Sequence, residues 1–338
     1  MAIQIFNIKT HSKEWYDFRE KGIGGSEQAT IHNLNFYDTG MRLWAEKCGY
    51  VPRAEFDNES MFHGRKHEDY ILDVWRFWDG TSDGYIKNYT AGNSIRTYSK
   101  VEGYLVNDKY PYLFASLDAV IDVGNANLLT GAILEKRGVL ECKTISEMAA
   151  KSWESGIPLS YIMQVHQYLL VNELEYAEVA ILQGGNKFYV MPIERREKIC
   201  DQIIKESKSF WYDRVLPARE LVNQIKNGGD FAEIESRLLN LQPDPDASDA
   251  CRDYLKSQYH REYEKMMGTP EMLAIARAEK ESSALMKQHE TEKNRLRNIL
   301  INEFVKNKVE MIEFEKEGNI KYSKREGAKN EVLRINVK

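Results

Sequence analysis

Residues 138–146, Gly-Val-Leu-Glu-Cys-Lys-Thr-Ile-Ser, read as a buried strand interrupted by charge. Gly138, Val139, Leu140, Cys142 and Ile145 suit an interior, and Glu141 and Lys143 do not. Side chains two apart on a strand share a face. Glu141 and Lys143 therefore point to one side together, while Leu140 and Cys142 turn into apolar packing on the other. A buried ionised group must be paired or bound to metal. Whatever packs on the Glu141 face must therefore bring polar or charged groups with it.

The flanking segments supply such groups. Residues 112–125, YLFASLDAVIDVGN, read as a strand ending at a Gly-Asn turn, with Asp118 the lone charge between Phe114 and Ile121. Paired with the 138–146 strand, it brings Asp118 near Glu141. Two carboxylates held close repel each other unless a proton or a cation sits between them. Hard oxygen donors favour Mg²⁺ or Mn²⁺. A lysine beside such a pair can orient or deprotonate a water, or stabilise charge on a phosphate. Residues 59–78 read as a long helix with an apolar stripe of Ile71, Leu72, Val74, Trp75 and Trp78. Glu68 shares a face with Gly64 and Trp75, which puts a third carboxylate on the inward side. After the Glu-x-Lys strand, residues 160–173 read as a helix carrying Gln164, close to Tyr161, Gln167 and Tyr168.

Taken singly, each of these residues has an ordinary structural explanation. A Glu-x-Lys pair in a strand is commonly a cross-strand salt bridge, Asp118 an edge or turn residue, Glu68 a partly exposed helix residue. The ordered set is more specific: helix Glu, strand Asp, strand Glu-x-Lys, helix Gln. A second constellation lies near the N-terminus. In "GIGGSE" (22–27), glycines precede a helix read as capped near Ser26, so free amides and a helix start can hold an anion. Arg19 can add a bidentate clamp. The plainer alternative is a capped helix beside a surface arginine. His63 and His67, four apart on a helix, lack a third zinc ligand and read as surface residues or as indirect supports of a neighbouring site.

The rest of the chain bounds the class. Its 338 residues, 42% hydrophobic and 29% charged, fit one large domain with an appendage. The four cysteines, Cys48, Cys142, Cys200 and Cys251, form no CxxC pair, which argues for reduced thiols and against a zinc or iron–sulfur site. No apolar run reaches the ~20 residues of a bilayer span, and the first residues lack a signal-peptide pattern. The net charge of −5 argues against simple coating of nucleic acid. The charge is uneven: 19 Lys and Arg stand against 16 Asp and Glu from Ser248 onward, and 28 against 36 before it. "LQPDPDASD" reads as a linker. The expected organisation is a domain at 1–241, a linker at 242–247, and a mainly helical extension at 248–338 that ends in a β-hairpin.

The ordered set resembles the PD-(D/E)xK nuclease superfamily. More narrowly, it resembles the YqaJ-type viral recombinases, to which the phage lambda exonuclease is related. The resemblance covers about residues 10–215 and rests on "GIGGSE", "LWAEKCG", "HGRKHED", "ASLDAVID", "LECKT" and "YIMQVHQYLL". The proline of the superfamily's name is absent, since Ser116 and Leu117 precede Asp118, and His166 stands where some relatives carry a second glutamine.

The resemblance implies an α/β, restriction-endonuclease-like core with a mixed sheet flanked by helices. It implies Mg²⁺, with Mn²⁺ as substitute, on Asp118, Glu141, the Cys142 carbonyl and Glu68. Lys143 would position the attacking water, and Gln164 would orient Lys143 or a phosphate. Arg19 and Ser26 would hold a 5′-phosphate. The implied activity is 5′-to-3′ resection of double-stranded DNA ends for a single-strand annealing protein. The chain would act as a homo-oligomer, with a trimeric ring as one form, in the bacterial cytoplasm as a phage or prophage protein. Two other functions remain open on the residues: a structure- or sequence-specific endonuclease with the same site, and a non-catalytic DNA-end binding module.

Overall fold

The computed structural model describes residues 2–9, 12–53, 58–258, 266–324 and 331–337. The chain divides into two compact units, Met1–Tyr259 and His260–Lys338. The first unit contains strands β1 (Ile3–Phe6), β2 (Ile23–Gly24), β3 (Tyr98–Ser99), β4 (Tyr104–Asn107), β5 (Leu113–Ala115), β6 (Ala119–Ile121), β7 (Gly138–Ile145), β8 (Tyr176–Gln183) and β9 (Lys187–Glu194). Its helices are α1 (Lys13–Arg19), α2 (Gln28–Ile31), α3 (Gly40–Cys48), α4 (Glu59–Phe77), α5 (Ser82–Ala91), α6 (Leu159–Val171), α7 (Glu197–Lys208), α8 (Leu216–Lys226), α9 (Phe231–Leu239) and α10 (Asp249–Gln258).

Among the described residues, the central sheet has the order β3-β6-β7-β8-β9. Only the β7–β8 pair in it is parallel, and α6 makes the crossover that a parallel pair requires. Both faces of β8 are covered, so all eight of its residues are buried. Alternation assigns the faces. Val139, Ile145, Ala177, Val179 and Ile181 pack with α6 and α7 residues such as Val165, Leu169 and Ile203. Leu140, Ala180 and Leu182 pack on the α4 side against Ile71, Leu72, Trp75 and Trp78. The expected mixed α/β core is therefore present, and Glu141 and Lys143 face α6.

The segment read as one strand over 112–125 divides between two sheets. β5 joins a smaller sheet of order β1-β4-β5-β2, while β6 pairs with β7. Ser116, Leu117 and Asp118 make the passage, so Asp118 sits at the junction just ahead of β6. Gln167, fully buried on α6, ties the small sheet down: its Nε2 donates to the carbonyls of Ile23 (2.9 Å) and Phe114 (2.7 Å).

Local residues set the helix ends: Thr39 caps α3 through Met41 N–H, Gly49 ends it with φ 77°, and α4 starts at an Asn58 cap. α5, α8 and α9 are additional helices: α5 buries none of its residues, whereas α8 and α9 bury Ala218, Leu221, Val222, Ile234 and Leu238. The expected linker at 242–247 is bound to the first unit: Thr39 Oγ1 donates to Asp246 Oδ2 (2.6 Å), and Arg214 Nη1 to the Gln242 carbonyl (2.7 Å). Beyond it, α10 buries Cys251 and Tyr254 in the main core. The division consequently falls after Tyr259 instead of at 241–248.

The second unit is built on the long helix α11 (Pro270–Asn307), capped by Thr269. Strands β10 (Met311–Phe314), β11 (Gly318–Lys324) and β12 (Glu331–Val337) follow it as an antiparallel sheet. The expected terminal hairpin is thus three-stranded. Phe304, Ile320 and Leu333 form its small core. Among the described residues, no helix is long and apolar enough to cross a membrane.

A buried ion pair fixes the register of α4 on the sheet. Glu178 on β8 is fully buried, and it accepts from Trp75 Nε1 (2.7 Å), Tyr176 OH (2.7 Å) and Arg96 Nη2 (2.6 Å). Arg96 also lies over the Trp75 ring, 4.0 Å from its centroid. Removing one partner of a buried pair strands the other charge. Glu178→Ala is expected to lower unfolding free energy by about 3–5 kcal/mol, and adding Arg96→Met should recover part of it. Urea denaturation of the two variants measures both changes.

Candidate active site

The α6 face of β7 supplies a polar partner for each charge the sequence places there. Lys143 Nζ donates to Glu141 Oε1 at 2.6 Å, and Gln164 Nε2 donates to the same oxygen at 2.8 Å. Lys143 also reaches Gln164 Oε1 at 3.4 Å and lies over the Tyr161 ring. Glu141 is 2% exposed. Its second oxygen, Oε2, is buried with no hydrogen-bond partner.

Asp118 closes the other side. Its Oδ2 accepts the Cys142 N–H at 2.7 Å. The N–H and C=O of one strand residue lie on the same side of the strand, so the Cys142 carbonyl faces the same gap, beyond the end of β6. Burial raises the Asp118 carboxyl well above the ordinary carboxylate range, and the charges of Glu141 and Glu68 add to it. Lys143 goes the other way: burial alone would lower it, but Glu141 and Asp118 outweigh burial and raise it. It therefore stays a cation at neutral pH.

Glu68, from α4, faces the same cleft with its side chain 32% exposed and Lys100 Nζ at 3.8 Å. Its carboxyl is raised by burial, with Lys100 opposing. Among the described residues, no three His, Cys, Asp or Glu side chains converge closely enough to hold an ion alone. The tighter grouping is Asp118 and Glu141 with the Cys142 carbonyl. An acceptor-only set with one buried carboxylate oxygen unpartnered suits a hard divalent cation.

A cleft of about 380 Å³ joins this centre to the glycine turn, with Arg19, Ser26 and Tyr168 in its wall beside Asp118, Glu141 and Lys143. The turn is a short 3₁₀ segment, Gly25–Glu27, that leads into α2. Arg19 Nη2 donates to Ser26 Oγ at 3.0 Å, and the guanidinium lies over the Trp15 ring. Ser26 is exposed at the cleft and does not cap the helix. Glu27 performs the local capping, accepting Gly24 N–H on Oε2 at 2.9 Å.

Sequence reading missed the hub beneath this turn. Glu27 pairs with Arg19 Nε (3.1 Å) and Lys47 Nζ (2.8 Å), and Lys47 also donates to the carbonyls of Arg19 and Gly22. Burial alone would raise Glu27, but Lys47, Arg19 and the Gly24 N–H hold it down at about 2. Lys47 is the losing partner: burial outweighs Glu27 and draws it down to about 8. Both residues stand inside "GIGGSE" and "LWAEKCG", and a buried lysine in an apolar α3 stripe was the available signal. Arg65, Trp15 and Tyr104 also line the cleft. His63 and His67 stack with ring centroids 6.3 Å apart, and His63 lies 3.8 Å from Glu59.

Residues 14–175 match the family model described as the YqaJ-like viral recombinase domain. The chain is 32% identical over 256 residues to the uncharacterized protein YqaJ of Bacillus subtilis (strain 168), a match covering 75% of this chain and 65% of that protein's length. Among solved structures, it is similar to the alkaline exonuclease LHK-Exo from Laribacter hongkongensis, at 14% identity and a TM-score of 0.47, covering 64% of this chain and 98% of that one. A phage-related exonuclease from Haemophilus somnus 129PT aligns at 10% identity and a TM-score of 0.37, covering 60% of this chain and 96% of that one. The resemblance to YqaJ-type viral recombinases is borne out over residues 14–175.

The hub generates a stability prediction. Glu27→Gln leaves Arg19 and Lys47 without their buried counter-charge and should cost about 3–5 kcal/mol at neutral pH. A carboxyl depressed on folding contributes fully above its ordinary value of 4.5, and the contribution is lost as pH falls towards about 2. The gap between wild type and Glu27→Gln in denaturant midpoints should therefore be full just above pH 4.5, shrink below it as Glu27 gains a proton, and narrow again as pH rises towards about 8, because without Glu27 the buried Lys47 gives up its proton earlier than in wild type.

Proposed function

We propose that the chain is a divalent-metal-dependent deoxyribonuclease that degrades double-stranded DNA from its ends, 5′ to 3′. The observation that carries this reading is the shape of the Glu141 carboxylate's surroundings. One oxygen is fixed by Lys143 and Gln164; the other is buried and unpartnered, and Glu141 lines the same cleft as Asp118 and the Arg19–Ser26 turn.

Asp118, Glu141 and the Cys142 carbonyl would hold Mg²⁺, with Mn²⁺ as substitute, and Glu68 would tune it or its water from the cleft wall. The cation, when bound, lowers the pKa of water and neutralises charge at the phosphate. Lys143 supplies a fixed positive charge beside the scissile phosphate and holds the attacking water. Gln164 keeps Lys143 and Glu141 in register. Phosphodiester hydrolysis adds water oxygen to phosphorus and breaks the bond to the leaving sugar oxygen. Positioning and charge therefore carry most of the catalysis.

Arg19 and Ser26 would take the terminal 5′-phosphate, which favours an end-dependent enzyme over an endonuclease; the Gly24 amide is already held by Glu27. The product would be a 3′ single strand for an annealing protein. Following the family resemblance, the working form would be a homo-oligomer, a trimeric ring being one form, acting on phage or prophage DNA in a bacterial cytoplasm.

Digestion of linear duplex with Mg²⁺, with a covalently closed circle as control, tests this reading. The 5′-phosphorylated strand should disappear faster than a 5′-hydroxyl strand, and the circle should stay intact. Glu141→Ala and Lys143→Ala should each slow digestion by about 10²–10⁴-fold. Cutting of the circle would move the protein to the endonucleases, and Mg²⁺-independent binding without turnover would make it a DNA-end binding module.

A further inference from the structure

The glycine turn and the carboxylate centre stand on different elements. The turn joins β2 to α2, whereas the centre lies on β7 and at the head of β6. Tyr168 touches both. Its ring packs closely against the turn: a Cβ added to Gly25 would fall 2.3 Å from a ring carbon. Its hydroxyl accepts from Gln164 Nε2 at 3.0 Å, and the same amide donates to Glu141 Oε1 at 2.8 Å. Tyr168 and Gln164 sit one turn apart on α6, a buried helix that keeps their spacing fixed. Tyr168 is 5% exposed and forms part of the cleft wall.

We propose that Tyr168 is a positioning residue that couples the anion-holding turn to Glu141. The ring sets how closely Gly25 and Ser26 approach the carboxylate centre. The hydroxyl fixes the Gln164 amide, which in turn orients Glu141 by holding its Oε1 and leaves Oε2 unpartnered. A terminal phosphate on Arg19 and Ser26 and a scissile phosphodiester beside Glu141 and Lys143 are then held at one spacing. Recognition of the end enters the chemical step and is not confined to binding. Gly25 is required because any side chain at this position would displace the ring.

This coupling rests on the nuclease reading, and the test separates the two. Wild type, Glu141→Ala, Tyr168→Phe, Gly25→Ala, Tyr168→Leu and the Gly25→Ala/Tyr168→Leu double variant are compared on 5′-phosphate and 5′-hydroxyl duplexes. Thermal melting is recorded for each. Tyr168→Phe keeps the ring and loses the hydroxyl. It should lower kcat about tenfold or more on both ends, with KM and the preference for 5′-phosphate unchanged. Gly25→Ala should lower kcat and also reduce that preference by a comparable factor. The double variant, in which the clash is relieved, should be no worse than Tyr168→Leu alone, a non-additivity expected of residues in contact.

A structural role alone would shift melting and leave the end preference where it was. Tyr168→Phe with wild-type kcat would overturn the coupling, as would independent, additive effects of Gly25→Ala and Tyr168→Leu. Should Gly25→Ala fail to fold, the kcat of Tyr168→Phe decides. A wild-type chain as inert as Glu141→Ala would overturn the nuclease reading itself, whereas an active wild type with an unaffected Tyr168→Phe would overturn the coupling only.

Discussion

A carboxylate on the inner face of a buried strand is the constraint around which the first unit is arranged. Glu141 stands where β7 is covered by α6, and an ionised group in such a place must be partnered. Lys143 from its own strand and Gln164 from the crossover helix meet one oxygen. The other oxygen is left open. Asp118 is brought to the same gap because the chain leaves one sheet and enters another there, and its carboxylate is pinned by the Cys142 N–H. In the folded chain burial, with the charge of Glu141 added, raises the cost of a negative charge on Asp118. The site is thus under electrostatic strain that a bound cation would relieve.

The same helix carries the tension outward. One residue of α6 holds Glu141, the next turn holds the glycine turn through Tyr168, and Gln167 between them binds the carbonyls of β2 and β5. Beneath the turn, Glu27 gathers Arg19, Lys47 and the Gly24 amide into one buried knot. Arg19 is therefore presented to the cleft from a rigid base. On the opposite face of the sheet, the Glu178–Arg96–Trp75 cluster holds α4, and with it Glu68, at a fixed register.

Much of this was legible in the residues. Period-two patterning put Glu141 and Lys143 on one face, and the structure puts them on the α6 face. The helix from Glu59 and the helix around Gln164 followed from their apolar stripes. What escaped was tertiary. The passage of 113–121 between two sheets cannot be read from the apolar residues on either side of Asp118, because β5 and β6 are both buried. The proline-rich segment at 242–247 looked like a linker from composition, but Asp246 and Gln242 are bound by Thr39 and Arg214, which lie far away in sequence. Lys47 and Glu27 stand inside short motifs with no reading of their own, and their mutual burial is what marks them. Glu68 was read as an inward carboxylate, and the ion pair with Lys100 holds it at the cleft wall.

Thermal melting of wild type and Asp118→Asn, with and without Mn²⁺, tests the central claim most directly. A relieved repulsion and a bound ion act on stability in opposite variants. Without divalent cation, Asp118→Asn should melt above wild type by about 2–4 °C for each kcal/mol of repulsion removed. With Mn²⁺, wild type should rise and Asp118→Asn should stay where it was. A wild type indifferent to Mn²⁺, together with an Asp118→Asn variant that melts lower in its absence, would contradict the account.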